Sequence, residues 1–258
     1  MNFKTLRVQT IDQIATVSLH RPAARNSMNS EMIGELSALV EELRGDPAIS
    51  AVILTGSGRV FSAGADVEML TRIGETFTPE QTREEICKWR AAFDALEALP
   101  QVTIAAVNGL AFGGGVVLSL ACDFRLASSR AIFGLPEIKL GMVLALGGTQ
   151  RLTRLVGASA AKEMILRGRN VTAIEAQRLG LVHRVSDPGD LMGLARSWAE
   201  RAVQNSPRAI ALAKRLIDQS FERDANASAE AETAAQVELL HSPELLGRVK
   251  ALNDSGEL

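Results

Sequence analysis

Two short runs of small residues carry the chemistry this sequence can offer. Phe61 to Asp66 reads FSAGAD, and Gly113-Gly114-Gly115 stands about fifty residues further on, at the mouth of an apolar helix. In each run, small residues at a strand-to-helix turn leave backbone N–H groups uncovered, and the following helix adds partial positive charge at its N-terminus. Two such donors on one carbonyl oxygen form an oxyanion hole and would stabilise an enolate. The glycines do not suit a nucleotide cradle. Gly109, Gly113, Gly114 and Gly115 lack the G-x-G-x-x-G register, and no glycine precedes Lys-Ser or Lys-Thr, so neither a dinucleotide fingerprint nor a P-loop fits. His20, His183 and His241 show no ligand spacing, so no metal and no histidine-based triad is expected. Tyrosine is absent, which removes a tyrosine acid.

The wider segments are GSGRVFSAGADVEML at 56–70, VNGLAFGGGVVLSLACDFRLAS at 107–128, FGLPEIKLG at 133–141 and GGTQRL at 147–152. In this order and spacing the chain resembles the crotonase superfamily, the enoyl-CoA hydratase/isomerase family, from about Ala15 to Val185. The resemblance implies an α/β fold, a spiral of stacked ββα repeats followed by a helical C-terminal region. It implies a coenzyme A thioester as substrate, with no permanently bound cofactor, and a homotrimer or homohexamer. It also assigns residues. The N–H groups of Ala65 and Gly114 would be the oxyanion donors, and Glu137 of the FGLPE motif would move protons. RPAARNS, residues 21–27, is similar to the segment that cups the nucleotide of coenzyme A. Ala24, Arg25 and Ser27 would contact it, with Ala63, Asp66 and Val67 opposite. Asn26 and Ser27 also read as turn and capping residues before a helix.

This chain departs from the family pattern in three places. Ala23 stands where many relatives have lysine, so a phosphate contact is missing or moved to Arg25. Val117 stands where hydratases commonly carry a first glutamate, and valine can neither orient water nor exchange a proton. Met142-Val143-Leu144-Ala145 replaces a segment that often contains Pro-Gly and helps place that water. With Glu137 alone, in an apolar pocket that would raise its pKa, the expected reaction is isomerisation of a 3-enoyl-CoA to a 2-enoyl-CoA. The alternatives are a 2-enoyl-CoA hydratase of fatty-acid or branched-chain/aromatic acyl-CoA breakdown, and a non-catalytic acyl-CoA binding protein.

Positioning these residues requires a packed scaffold, and 258 residues with 47% hydrophobic content supply one. A formal net charge of −2 gives no general field for nucleic acid or an acidic membrane surface. Cys87 and Cys122 match no zinc or redox pattern, and no run of eighteen apolar residues occurs, so a cytoplasmic protein without membrane segments is expected. Lys4 to Thr10 and Ile14 to His20 read as paired strands. Met32, Leu36, Leu39, Val40 and Leu43 fall at helical spacing from Ser30 to Arg44, and Ala51 to Thr55 follows as a buried strand. The rhythm recurs at Val102 to Val107, in the helix after the triple glycine, and at Phe124 to Ala127 and Ala131 to Phe133. RIGETFTPE, residues 72–80, has the polarity of a mobile loop, and Trp89, Phe93 and Leu96 mark a core-packed helix. Residues 1–190 therefore read as the core with the acyl-CoA site, and 191–258 as a helical region for packing and oligomerisation. In that tail, Arg248 and Lys250 could reach coenzyme A phosphates from a neighbouring subunit or line a solvated helix face.

Overall fold

In the computed structural model, which describes residues 3–255, the chain winds between two stacked sheets. It opens with a hairpin, β1 (Leu6–Ile11) and β2 (Ile14–Leu19), then α1 (Ser30–Gly45). Three spiral turns follow, each laying one strand in either sheet. The first is β3 (Ala51–Gly56) and β4 (Val60–Ser62) with α2 (Val67–Thr76) and α3 (Pro79–Glu97). The second is β5 (Val102–Val107) and β6 (Leu110–Phe112) with α4 (Gly114–Leu120). The third is β7 (Phe124–Ser128) and β8 (Ile132–Gly134) with α5 (Gly148–Arg167). Then come β9 (Asn170–Thr172), α6 (Ala173–Arg178), β10 (Arg184–Ser186) and four helices: α7 (Leu191–Val203), α8 (Pro207–Gln219), α9 (Ala225–Leu240) and α10 (Pro243–Ser255).

The large sheet has the order β1-β2-β3-β5-β7-β10, and the small one β4-β6-β8-β9. Within the spiral every pairing is parallel, and only β1 with β2 and β8 with β9 run antiparallel. A parallel sheet needs cover on both faces, and the strand alternation supplies two apolar sets. Val52, Leu54, Ala105 and Val107 face the main core, while Ala51, Ile53, Val102, Ile104 and Ala106 meet Leu191, Ala195 and Ala199 of α7. Small side chains four residues apart bring α7 close against the sheet.

Polar side chains tie successive turns together. Asn108 donates to the Gly56 and Gly58 carbonyls, both 2.9 Å away, and accepts from the Gly56 N–H at 3.2 Å. Asp123 accepts from Thr103 N at 2.7 Å, Thr103 Oγ1 at 3.0 Å and Lys214 Nζ at 2.7 Å, docking α8 on the core. Arg125, only 4% exposed, donates to the carbonyls of Ser119, Cys122 and Leu181. It therefore caps the C-terminal end of α4, where orphan carbonyls and the negative pole of the helix dipole meet a cation.

Residues 72–80 are not a mobile loop. Asp66 caps α2, which runs to Thr76, and Thr78 opens α3 through a reciprocal capping box with Gln81 and a proline in the first turn. The linker shrinks to Phe77-Thr78. Its polarity belongs to the solvent faces of two helices, and the Thr-Pro-x-Gln start signal outweighs it. Among the described residues no strand follows β10, and no helix is long and apolar enough to cross a membrane.

Arg125→Met would leave the Cys122 and Leu181 carbonyls without a donor, at roughly 1–3 kcal/mol each. Stability should fall by about 3 kcal/mol or more, read as a lower urea midpoint at unchanged m-value.

Candidate active site

The turns after β4 and β6 lie side by side in the small sheet, so the two glycine-rich runs meet. Their backbones touch. A Cβ at Gly64 would stand 3.4 Å from Gly114 N and 2.7 Å from Phe112 O, and one at Gly114 would stand 3.8 Å from Ala65 N. Neither the Ala65 nor the Gly114 N–H has an acceptor among the described residues. Both expected donors thus converge on one place, unpaired. Gly113, at φ +50° and ψ −119°, turns the chain into α4 through a conformation that side chains disfavour.

Glu137 begins the 3-10 turn Glu137–Leu140 after Leu135-Pro136. A Cβ at Gly113 would lie 2.5 Å from its Oε1, so the bare glycine admits the carboxylate beside the donors. Its Oε2 is buried without a hydrogen-bond partner among the described residues. Burial raises its pKa above the usual carboxylate range, opposed only by its own backbone N–H. A carboxyl so placed is suited to taking up and returning a proton.

Val117 stands one helical turn beyond Gly113 on the same face of α4 and is fully buried. Its Cγ2 and the Leu144 side chain pack over Gly148, where a Cβ would lie 2.6 Å and 2.9 Å from them. Leu144 thus forms the apolar wall expected of it, whereas Ala145 is exposed and contributes no crowding there. This wall is pinned from behind. Arg151 donates to the Leu146 carbonyl at 2.9 Å and pairs with Asp94 and Glu97 of α3, holding Leu146 at φ +58°.

Residues 24–27 run alongside 63–67. Ala63 N donates to Arg25 O at 3.0 Å, Met28 N to Gly64 O at 2.8 Å, and Asp66 N to Met28 O at 2.8 Å. Ala24, Arg25, Ala63 and Val67 are half-buried or exposed along this joint, Val67 at 75%. The Ser27 hydroxyl is buried and donates to Asp66 Oδ2 at 3.1 Å, which also accepts from Arg21 at 2.8 Å. Burial pulls the Asp66 pKa up, but the Arg21 and Ser27 hydrogen bonds outweigh it and hold the carboxyl below its usual range. Asn26 is more than a turn residue. Fully buried at φ +53°, it donates to the Ser57 and Val60 carbonyls and accepts from Arg21 N. Asparagine's tolerance of the left-handed region was its only sequence signal. The cap of α1 is Asn29, whose side chain accepts from Met32 N.

Arg248 is engaged by Glu244 at 3.0 Å and the Gln204 carbonyl at 3.1 Å. Burial pushes the Cys122 thiol up to about 12, which leaves it inert. A cavity of about 770 Å³ opens at the other end of α4, against α7 and α8, and neither Glu137 nor either donor lines it. Among the described residues no His, Cys, Asp and Glu cluster could hold a metal.

The enoyl-CoA hydratase/isomerase family profile matches residues 9–247. A short-chain-enoyl-CoA hydratase from Clostridium acetobutylicum is 40% identical over 225 residues, 87% of this chain and 85% of that protein. The crystal structure of an enoyl-CoA hydratase from Bacillus anthracis superposes with a TM-score of 0.92 at 36% identity, covering 98% of this chain and 97% of that one. A Thermobifida fusca protein in complex with acetoacetyl-CoA superposes with a TM-score of 0.85 at 32% identity, over 92% and 94% of the two chains.

The raised Glu137 pKa has a stability consequence whose sign is fixed. The native state holds this proton more tightly than the unfolded chain, so the contribution is fully present below the unfolded pKa. It is lost as pH rises through the folded one. Glu137→Gln should therefore be more stable than the parent at neutral pH, with the difference shrinking towards pH 4, as followed by thermal melts across that range.

Proposed function

The chain belongs to the enoyl-CoA hydratase/isomerase family, and we propose that it isomerises 3-enoyl-CoA to 2-enoyl-CoA thioesters with Glu137 as its single acid–base group. The observation that carries this reading is the pairing of a buried, unpartnered Glu137 oxygen with an apolar Val117 wall. The Ala65 and Gly114 N–H groups bind the thioester oxygen and polarise the carbonyl. Glu137 takes the proton from C2, and the electron pair spreads through C2, C3 and C4 as a dienolate whose charge rests on that oxygen. The protonated Glu137 then delivers its proton to C4, which leaves the double bond between C2 and C3. No water enters the reaction. Around the coenzyme A nucleotide, Ala24, Arg25, Ser27, Ala63, Asp66 and Val67 form the binding rim, with exposed Arg25 offering its charge to a phosphate. The acetoacetyl-CoA complex of the Thermobifida fusca protein supports a thioester ligand.

A 2-enoyl-CoA hydratase is the second reading, favoured by the names of its relatives. The orphaned Glu137 oxygen would then hold the attacking water alone. A binding protein without chemistry is the third, and a Glu137 with a raised pKa beside two free N–H donors argues against it. Self-association into a trimer or a pair of trimers is part of the proposal. Ile217, Phe221, Val237, Leu240, Leu246 and Val249 present exposed apolar side chains on α8 to α10, more than a lone helical tail leaves uncovered. Two free cysteines suit a reducing, cytoplasmic setting.

Glu137→Gln should lower turnover of 3-hexenoyl-CoA by about 10²-fold or more while acyl-CoA affinity holds. Activity within a few-fold of the parent would exclude Glu137 as the shuttle. Val117→Glu should raise hydration of crotonyl-CoA relative to isomerisation and lower the melting temperature, because Leu144 and Gly148 leave the longer side chain little room. A parent that already hydrates crotonyl-CoA as fast as it isomerises would move the assignment to hydratase. Light scattering at micromolar concentration should give three or six times the chain mass, and a monomer would remove the assembly.

A further inference from the structure

We infer that Met28 is a positioning residue that fixes the spacing and direction of the two N–H donors, an inference that rests on the thioester reading above. It does so with main chain and side chain separately. Met28 pairs with Ala65 as an isolated parallel bridge, donating to the Gly64 carbonyl and accepting from the Asp66 N–H, both at 2.8 Å. In a parallel bridge the central residue opposite turns its own N–H and C=O away from the partner strand. The Ala65 N–H therefore points away from Met28, towards the open side, because its two neighbours are the ones bonded.

The side chain acts on the other donor. Met28 is fully buried, and a Cβ at Gly114 would meet its Cε methyl at 2.9 Å. The terminal methyl thus occupies the space that a side chain on Gly114 would take, at the first residue of α4. Gly64 closes the adjoining side, 3.4 Å from Gly114 N by its own missing Cβ. An unbranched, polarisable side chain fits such a gap without strain and offers Gly114 no acceptor strong enough to compete for its N–H. One residue thereby sets the direction of the first donor and backs the second, and the two-donor geometry has no slack.

Shortening Met28 opens a void under Gly114 and lets that donor drift. A misplacement of about 1 Å costs on the order of 10²-fold in rate, so Met28→Ala should lower kcat by about 10- to 100-fold with little change in KM. The discriminating readout is optical. A 4-dimethylaminocinnamoyl-CoA thioester absorbs further to the red as its carbonyl is polarised. The parent should shift it, Met28→Ala should lose most of the shift, and Met28→Leu, which keeps the volume, should restore most of it. Met164→Ala removes the same side chain from α5, where it is also fully buried, and should keep the whole shift despite lost stability. If Met28→Ala does not fold, Met28→Val retains more of the buried volume, still lacks the terminal methyl, and carries the same expectation. A folded Met28→Ala or Met28→Val that shows the parent's shift and kcat overturns the inference and leaves the thioester reading intact. No shift in the parent overturns both.

Discussion

Two turns of main chain meet in van der Waals contact, and the rest of the architecture is arranged around that meeting. Gly64 and Gly114 belong to successive spiral turns, and their approach is set by the parallel register of β4 and β6. Anything that shifts this register by one residue would move a side chain into the gap and flip the strand faces. Asn108 fixes the turn beneath, Asn26 and Met28 fix the segment alongside, and Arg125 anchors the far end of α4. Each tie is polar or close-packed, and each joins one segment of the winding chain to the next.

The site divides electrostatic labour between its two sides. At the mouth of α2, Asp66 is engaged by Arg21 and Ser27, which hold its carboxyl below the usual range. Beside Gly113, Glu137 has no donor but its own backbone among the described residues, and burial holds its pKa up. The same residue class is thus stabilised as an anion in one place and disfavoured as one in the other. Arg151 keeps the charges of Asp94 and Glu97 behind the wall, where they orient the Leu146 loop without reaching Glu137.

Strands, long helices and the motif order were legible because they rest on local signals. The stripe from Met32 to Leu43 is buried as its spacing demands, and Val102 to Val107 is a strand with the expected bounds. The misread segment at residues 72–80 shows where polarity misleads, since an amphipathic helix and a loop share it until the capping box is weighed. Asn26, Met28 and Arg151 were illegible for another reason. Their roles are made by partners 31 or more residues away, such as Ser57 for Asn26 and Glu97 for Arg151, and no window along the chain contains both members. The FGLPE motif marks Glu137 as a candidate, while the orphaned state of its Oε2 is visible only in the fold.

Arg125 carries an implication for the order in which the chain acquires its shape. Its Nε donates to the Leu181 carbonyl 56 residues downstream, and its main chain pairs with His183. Until those residues leave the ribosome, the guanidinium has only part of its acceptors. Such a long-range closure adds loop entropy before it adds contacts. Synthesis from the N-terminus can build the hairpin and the first two turns of the spiral, yet the side chain that caps α4 gains its last acceptor only with Leu181. The cap on α4 is thereby held from behind by a residue that is made well after the helix itself.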